Sequence, residues 1–185
     1  MNPGIRTVRS MTFAACALFT ACGQVPDPAQ LTAVDQLITA TDAAVLTLNE
    51  LDRSRYARMD SLFAGERTRF DARFADTLGR DAAGMLGSQF ILLRAAGTMG
   101  KDHERVLARL IEDSERLRWL RNDLANNALD AKEAAPLIAQ EQRQHADVIS
   151  GVHAVMDNYR LVQHAWDRAD SVATLLADTE IIARP

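Results

Sequence analysis

Aromatic side chains make up only 5% of this 185-residue chain, and cysteine occurs twice. Glycine, with 9 copies, and proline, with 5, are also scarce. Two cysteines are too few for a disulfide scaffold, and so little glycine and proline excludes collagen-like and low-complexity chains. Positive charge is not in surplus: the formal net charge is −4. Phosphate backbones are bound by basic surfaces, so nucleic acid is not an expected partner. Strand signals are nearly missing. No stretch alternates with period two for long, and neither Asn-Gly nor Asp-Gly occurs. Beyond the N-terminus the longest obvious apolar run is Phe90-Ile91-Leu92-Leu93. A membrane-spanning helix takes about 20 apolar residues, so none is expected there.

The composition is 48% hydrophobic and 25% charged, which suits one domain with a real core. The N-terminus differs from the rest. Arg6 and Arg9 precede an uncharged apolar stretch over residues 11–21. Its length fits a secretory signal core of about 7–15 residues. Phe19-Thr20-Ala21-Cys22 follows. This segment resembles the lipobox of bacterial lipoproteins: an aliphatic residue, two small residues, then the cysteine that takes the lipid. Phe19 stands where Leu is usual, with Leu18 one place earlier.

The resemblance implies that residues 1–21 are a signal peptide and that Cys22 carries a covalent lipid. Residues 22–30, with Pro26 and Pro28, then form the lipidated cysteine and a flexible tether. Cys16 leaves with the signal, so no disulfide forms within the mature chain. Loss of Arg6 and Arg9 makes the net charge two units more negative. The alternative is an ordinary cleaved signal with Cys22 as a free thiol. By the same resemblance, Gly23 lacks the Asp that marks inner-membrane retention in enteric bacteria. A cell-envelope location follows, at the outer membrane rather than the inner, with the domain facing the periplasm or the surface.

Helical periodicity dominates the remainder. The expected fold is all-α: an elongated antiparallel bundle of three long helices with coiled-coil-like seams, over residues 31–178. Residues 179–185 are expected to be a frayed tail. The first helix is expected over residues 31–64, on a stripe through Val34, Ile38, Thr41, Val45 and Leu48. Its apolar positions shift later to Tyr56, Met59, Leu62 and Phe63, and Gly65 reads as a stop. Residues 66–78 are amphipathic through Phe70, Phe74 and Leu78, either as a short extra helix or as a continuation.

The second helix is expected from Asp81, after Gly79, to about Asn126, with a break at Gly97 to Gly100 as an option. Asp130, with Glu133 three residues on, reads as a capping box. Pro136 then implies a kink, or a regular start near Ala135. The third helix keeps a 4-3 alternation from Ala134 through Glu141, His145, Val155, Tyr159, Trp166 and Ala173 to Leu176. Unbroken, it is about 70 Å long.

The short link makes the last two helices an antiparallel hairpin in which facing residues sum to about 255. This places Gly100 opposite Val155, Ala96 opposite Tyr159 and Ser114 opposite Glu141. Gly97 and Gly100 then allow close approach beside Tyr159. Glu141 and His145 share one helix face, so Ser114, Glu141 and His145 are expected to form a buried polar layer that fixes register. A half-exposed layer near the bundle surface and a proton- or metal-responsive site are the alternatives. Met99, Tyr159 and Trp166 are the candidate lining of a pocket.

Catalytic motifs are not found. No His has Glu three residues before it, as a di-iron bundle requires. His153 and His164 are about 16 Å apart along the helix. His103 with His153 makes an incomplete metal site, and no Cys-x-x-Cys-His is present for haem attachment. The run through Gly97 and Gly100 to Lys101-Asp102 lacks the first glycine and the hydroxyl of a phosphate-binding loop. The expectation is therefore a non-enzymatic, membrane-anchored envelope lipoprotein without a cofactor beyond its lipid. It would serve as a helical scaffold or adaptor for another envelope protein. A ligand-, metal- or haem-binding periplasmic bundle is the alternative.

Overall fold

A computed structural model describes residues 26–74 and 79–177. It is all-α: 91% of the described residues are helical, and no strand occurs among them. Five helices pack together: α1 Pro28–Asn49, α2 Ser54–Phe74, α3 Arg80–Ala125, α4 Ala131–Asp167 and α5 Ala169–Ala177. The lipobox residues and the proposed signal lie outside the described residues, as do residues 75–78 and the expected C-terminal tail.

α1 starts where Asp27 accepts the Ala29 N–H at 2.9 Å, with Pro28 at the first helical position. That pairing satisfies an otherwise orphan donor. The expected first helix does not run on to residue 64. It stops at Asn49, and Asp52 begins the next helix by accepting the Ser54 N–H at 3.1 Å. The change in apolar phase between Leu48 and Tyr56 is the trace of this break. Gly65 is no stop; it lies within α2, which carries the 66–74 segment as its continuation.

α3 is unbroken for 46 residues, about 69 Å. The optional break at Gly97–Gly100 does not occur. A Cβ on Gly100 would lie 3.1 Å from the Tyr56 Cβ, and one on Gly97 would lie 3.1 Å from an Asp60 carboxylate oxygen. The two glycines thus admit α2, not Tyr159 of α4. Gly79 takes the cap position of α3, and Asp81 lies in its first turn.

α3 ends in a Schellman turn. Asn127 adopts φ 54°, Ala128 N–H donates to Asp123 O at 2.8 Å, and Asn127 N–H donates to Leu124 O at 3.2 Å. The capping box then opens α4: Asp130 accepts the Lys132 and Glu133 N–H groups, each at 2.8 Å. α4 is regular from Ala131, with Pro136 inside it. A start at Ala135 is thereby excluded.

The third expected helix is interrupted at Arg168, and its seam changes phase. Ala165 and Val172 are buried where Trp166 and Ala173 were expected. Val162 and Leu176 remain buried on the expected line, so the change is local: the step after Val162 is three residues, to Ala165, rather than four, to Trp166, next to the interruption at Arg168.

α3 packs against α1, α2 and α4, and α1 also packs against α4. The core falls into three clusters along α3. Val34, Leu117, Leu124 and Ile138 form the first, and Leu48, Leu107, Leu110 and Val152 the second. Met59, Phe70, Leu86, Leu93 and Val162 belong to the third. α1 is long and apolar enough to cross a membrane by length and composition, with a hydropathy of 1.2. The expectation that no such segment follows the N-terminus is therefore corrected. In the fold, α1 buries Val34, Thr41, Ala44 and Leu48, and its Asp35 and Asp42 pair with Arg121 and Arg118.

Candidate functional site

Two polar assemblies interrupt the apolar core. The first joins α1, α3 and α4. Ser114 donates to Asp42 Oδ1 at 2.9 Å, while Arg118 donates to Ser114 Oγ at 2.8 Å and to Asp42 Oδ2 at 2.6 Å. Beside it, Arg116 grips Glu141 with two bonds of 2.8 and 3.0 Å. The same guanidinium reaches Asp113 at 2.9 Å and Gln144 at 2.7 Å. Asp113 and Glu141 are buried, and such carboxylates are stable only when paired. The Glu141 bond, followed by Asp113, holds the Arg116 guanidinium above its ordinary pKa. His145 Nδ1 meets Thr41 Oγ1 at 3.2 Å.

The expected polar residues thus share a region but not one site. Ser114 joins α1, Glu141 joins Arg116 of α3, and His145 joins Thr41 of α1. Asp42, Thr41, Arg116 and Arg118 were not anticipated. Arg116 was within reach of the hairpin rule, since it lies two positions from Ser114 along α3.

The second assembly sits at the α1–α2 break. His103 is 0% exposed, and its Nε2 lies 3.1 Å from Leu48 O, one of the carbonyls that ends α1. A carbonyl only accepts, so Nε2 carries the proton. Burial holds His103 below its ordinary pKa, against the Leu48 bond; Arg53 lowers it further and Glu104 opposes. The Tyr56 ring meets His103 edge-on at 5.8 Å and Tyr159 at 6.0 Å. Burial, aided by Tyr159, pushes the Tyr56 hydroxyl up to about 12. Tyr56 Oη and His103 Nδ1 are the two buried side-chain polar atoms without a hydrogen-bond partner among the described residues.

Tyr159 Oη accepts the Asp52 N–H at 3.3 Å and so ties α4 to the break. The Asp52 carboxylate holds Ser54, Arg58 and Arg55. Its pKa is lowered, first by the Ser54 side-chain bond, with desolvation opposing. Arg58 also lies over Trp166 at 5.6 Å. Trp166, 41% exposed, lines a shallow groove with Ala57, Arg58 and Leu62. Met99 and Tyr159 instead pack against the third core cluster. His153 and His164 are exposed, so the buried His103 does not pair with His153. Among the described residues, no three His, Cys, Asp or Glu side chains converge as a metal site requires.

A third feature lies outside the core: a groove of about 520 Å³ between α2 and α3, flanked by Arg53, Asp60, Arg94, Lys101 and Glu104. No family model, curated protein or solved structure matches this chain.

Proposed function

We propose that this protein is a lipoprotein of the cell envelope, held to the membrane by lipid on Cys22, and that its helices form a rigid, elongated scaffold for another envelope protein. In this reading α1 and α2 make one rod, α3 the second, and α4 with α5 the third, with seams like those of a coiled coil. The observation that carries it is at one end of the molecule. Gln30 Nε2 donates to Ala131 O at 2.8 Å, which ties the start of α1 to the α3–α4 turn. From Cys22 to Asp27 the chain spans at most about 18 Å, so an anchor at Cys22 holds that turn close to the lipid surface. α3, at about 69 Å, then carries the far end well away from it.

The surface supplies contact residues for a partner. Trp119 is 70% exposed on α3, and Ile111 and Leu137 are also exposed. Aromatic anchors of this kind suit helix-against-helix recognition.

The test is to replace Cys22 with Ala in the producing cell and to follow both fractionation and labelling by radioactive fatty acid. Release from membranes with loss of label is expected. Membrane retention of the variant would refute the lipid anchor and point to α1 as the attached segment. An absorption spectrum and metal analysis of the purified protein test the alternative of a haem- or metal-binding bundle.

A further inference from the structure

Buried polar side chains in this protein are matched with few exceptions. Among the described residues two buried side-chain polar atoms have no hydrogen-bond partner, Tyr56 Oη and His103 Nδ1. They belong to neighbouring rings, which meet edge-on with centroids 5.8 Å apart. Tyr56 is 3% exposed and His103 0%, so bulk water reaches neither atom. A buried group left unpaired is costly, and two such groups on rings in contact call for one explanation.

The hydrogen-bonding role of each atom is set by its surroundings. His103 Nε2 carries the proton, because it faces Leu48 O at 3.1 Å. Nδ1 therefore holds a bare lone pair and only accepts. The Tyr56 hydroxyl has one proton to give and lone pairs to offer. The two atoms are complementary, yet no direct bond joins them. Tyr56 is not free to swing across: its Cβ is seated against Gly100, and its ring is held between His103 and Tyr159. A water molecule can donate to Nδ1 and accept the Tyr56 proton. Internal waters take two to four polar partners, and this pair supplies two. Solvent has a short way in, since Tyr56 also lines the groove between α2 and α3, together with Gly100 and Glu104.

We propose that an internal water is bound between Tyr56 Oη and His103 Nδ1. It completes a chain from the Tyr56 hydroxyl of α2, through the water and the imidazole of α3, to Leu48 O at the end of α1. One solvent molecule thereby ties both sides of the α1–α2 break to α3. The site takes a ligand of water's size that both donates and accepts. Neither the lipid anchor nor a partner protein is needed for it.

The test uses the full-length chain in mild detergent at mildly alkaline pH, where the imidazole is neutral. Oxygen-17 relaxation dispersion of the solvent counts long-lived internal waters without interference from hydroxyl proton exchange. The nitrogen-15 shift of His103 Nδ1, assigned by its loss in His103→Gln, reports whether that lone pair is hydrogen-bonded. Tyr56→Phe keeps the ring and removes only the hydroxyl. The wild-type Nδ1 is expected to be hydrogen-bonded, and Tyr56→Phe to lose both one long-lived water and the Nδ1 bond. Urea denaturation of that variant should show the unfolding constant raised about fivefold, as one hydrogen-bonded link is lost. Three results would overturn the proposal. A wild-type Nδ1 shift of a bare lone pair means that the atom stays unpaired. A bonded Nδ1 shift with the same number of long-lived waters in wild type and Tyr56→Phe means that Tyr56 and His103 bond directly. Greater stability of Tyr56→Phe means that the hydroxyl is unpaired in the folded protein.

Discussion

The two halves of α3 solve the same problem in different ways. Its C-terminal half meets the continuous helices α1 and α4, and buried polar groups there pair side chain to side chain: Ser114 with Asp42, Arg116 with Glu141 and Asp113. Its N-terminal half meets segments that break, and buried polar groups there reach for backbone carbonyls. His103 meets Leu48 O at the end of α1, Gln89 donates to Ala165 O at 2.9 Å ahead of the break at Arg168, and Arg73 donates to Leu176 O at 3.2 Å. A helix end leaves carbonyls without intrahelical donors, and a buried carbonyl must be satisfied. Where helices are continuous, the backbone is already satisfied and only side chains remain to be matched.

The apolar packing differs in parallel. The N-terminal half of α3 holds an aromatic cluster, with Phe90 at 5.6 Å from Phe70, 5.3 Å from Phe63 and 5.4 Å from Phe74. The C-terminal half is filled by Leu, Val, Ile and Ala. The contrast predicts that truncating Phe70, which is fully buried, destabilises the fold more than truncating an aliphatic side chain of the other half. Phe70→Ala is expected to cost about 3–5 kcal/mol, measured by urea denaturation. A smaller loss than that of Leu117→Ala would place the centre of stability in the other half and reverse the comparison.

Arg116→Ala comes next. It leaves Asp113 and Glu141 buried without their cation, but the guanidinium side chain is 43% exposed, which moderates the loss. About 2 kcal/mol is expected. Asp35→Ala, which breaks the exposed pair with Arg121, should cost under about 1 kcal/mol. Equal effects would show that burial does not distinguish these pairs. A double-mutant cycle between Arg116 and Glu141 isolates the pairwise part.

His103 makes the break between α1 and α2 sensitive to acid. Its folded pKa is lowered by burial, so the folded protein binds fewer protons than the unfolded chain as pH falls. Stability is then fully present above the unfolded value of about 6.5 and declines as pH drops below it. Between pH 6.5 and 5 the loss from this group is at most about 2 kcal/mol. Thermal unfolding across this range is expected to show it, and His103→Gln should flatten the curve. An unchanged slope in that variant would remove His103 as the cause.

Some of this was legible in the sequence and some was not, for physical reasons. The α4 start is written locally: Asp130 and Glu133 supply both halves of a capping box, and neighbours cannot easily override it. The burial of Ser114 and Glu141 was legible from periodicity, as was the presence of an all-α fold. Asp42, the partner of Ser114, and Thr41, the partner of His145, were not, because the hairpin rule treats only α3 and α4 and both come from α1. The break at residues 50–53 carries neither glycine nor proline, so only the apolar phase change and Asp52 mark it. Trp166 illustrates a local change of step beside the break at Arg168: a one-position error in phase exchanges a core aromatic for a surface one.

Gly97 and Gly100 of α3 give small effects and the sharpest test of how α2 is seated. Both replacements by Ala gain helix propensity, worth about 1 kcal/mol at each site. What each new methyl meets is different. At Gly97 it meets the carboxylate of Asp60, the movable end of an exposed side chain, at 3.1 Å. Asp60 turns aside at little cost, so Gly97→Ala should stabilise by about 0.5 kcal/mol. At Gly100 it meets the Cβ of Tyr56, also at 3.1 Å, and Tyr56 is buried between His103 and Tyr159. There the helix itself has to move, and overpacking of about 1–3 kcal/mol outweighs the propensity gain. Gly100→Ala should therefore destabilise by about 1 kcal/mol, and chemical denaturation of the two variants side by side reads the difference in sign. Stabilisation by both would mean that α2 yields freely, and the close seating of Tyr56 against α3 would no longer account for the glycine at position 100.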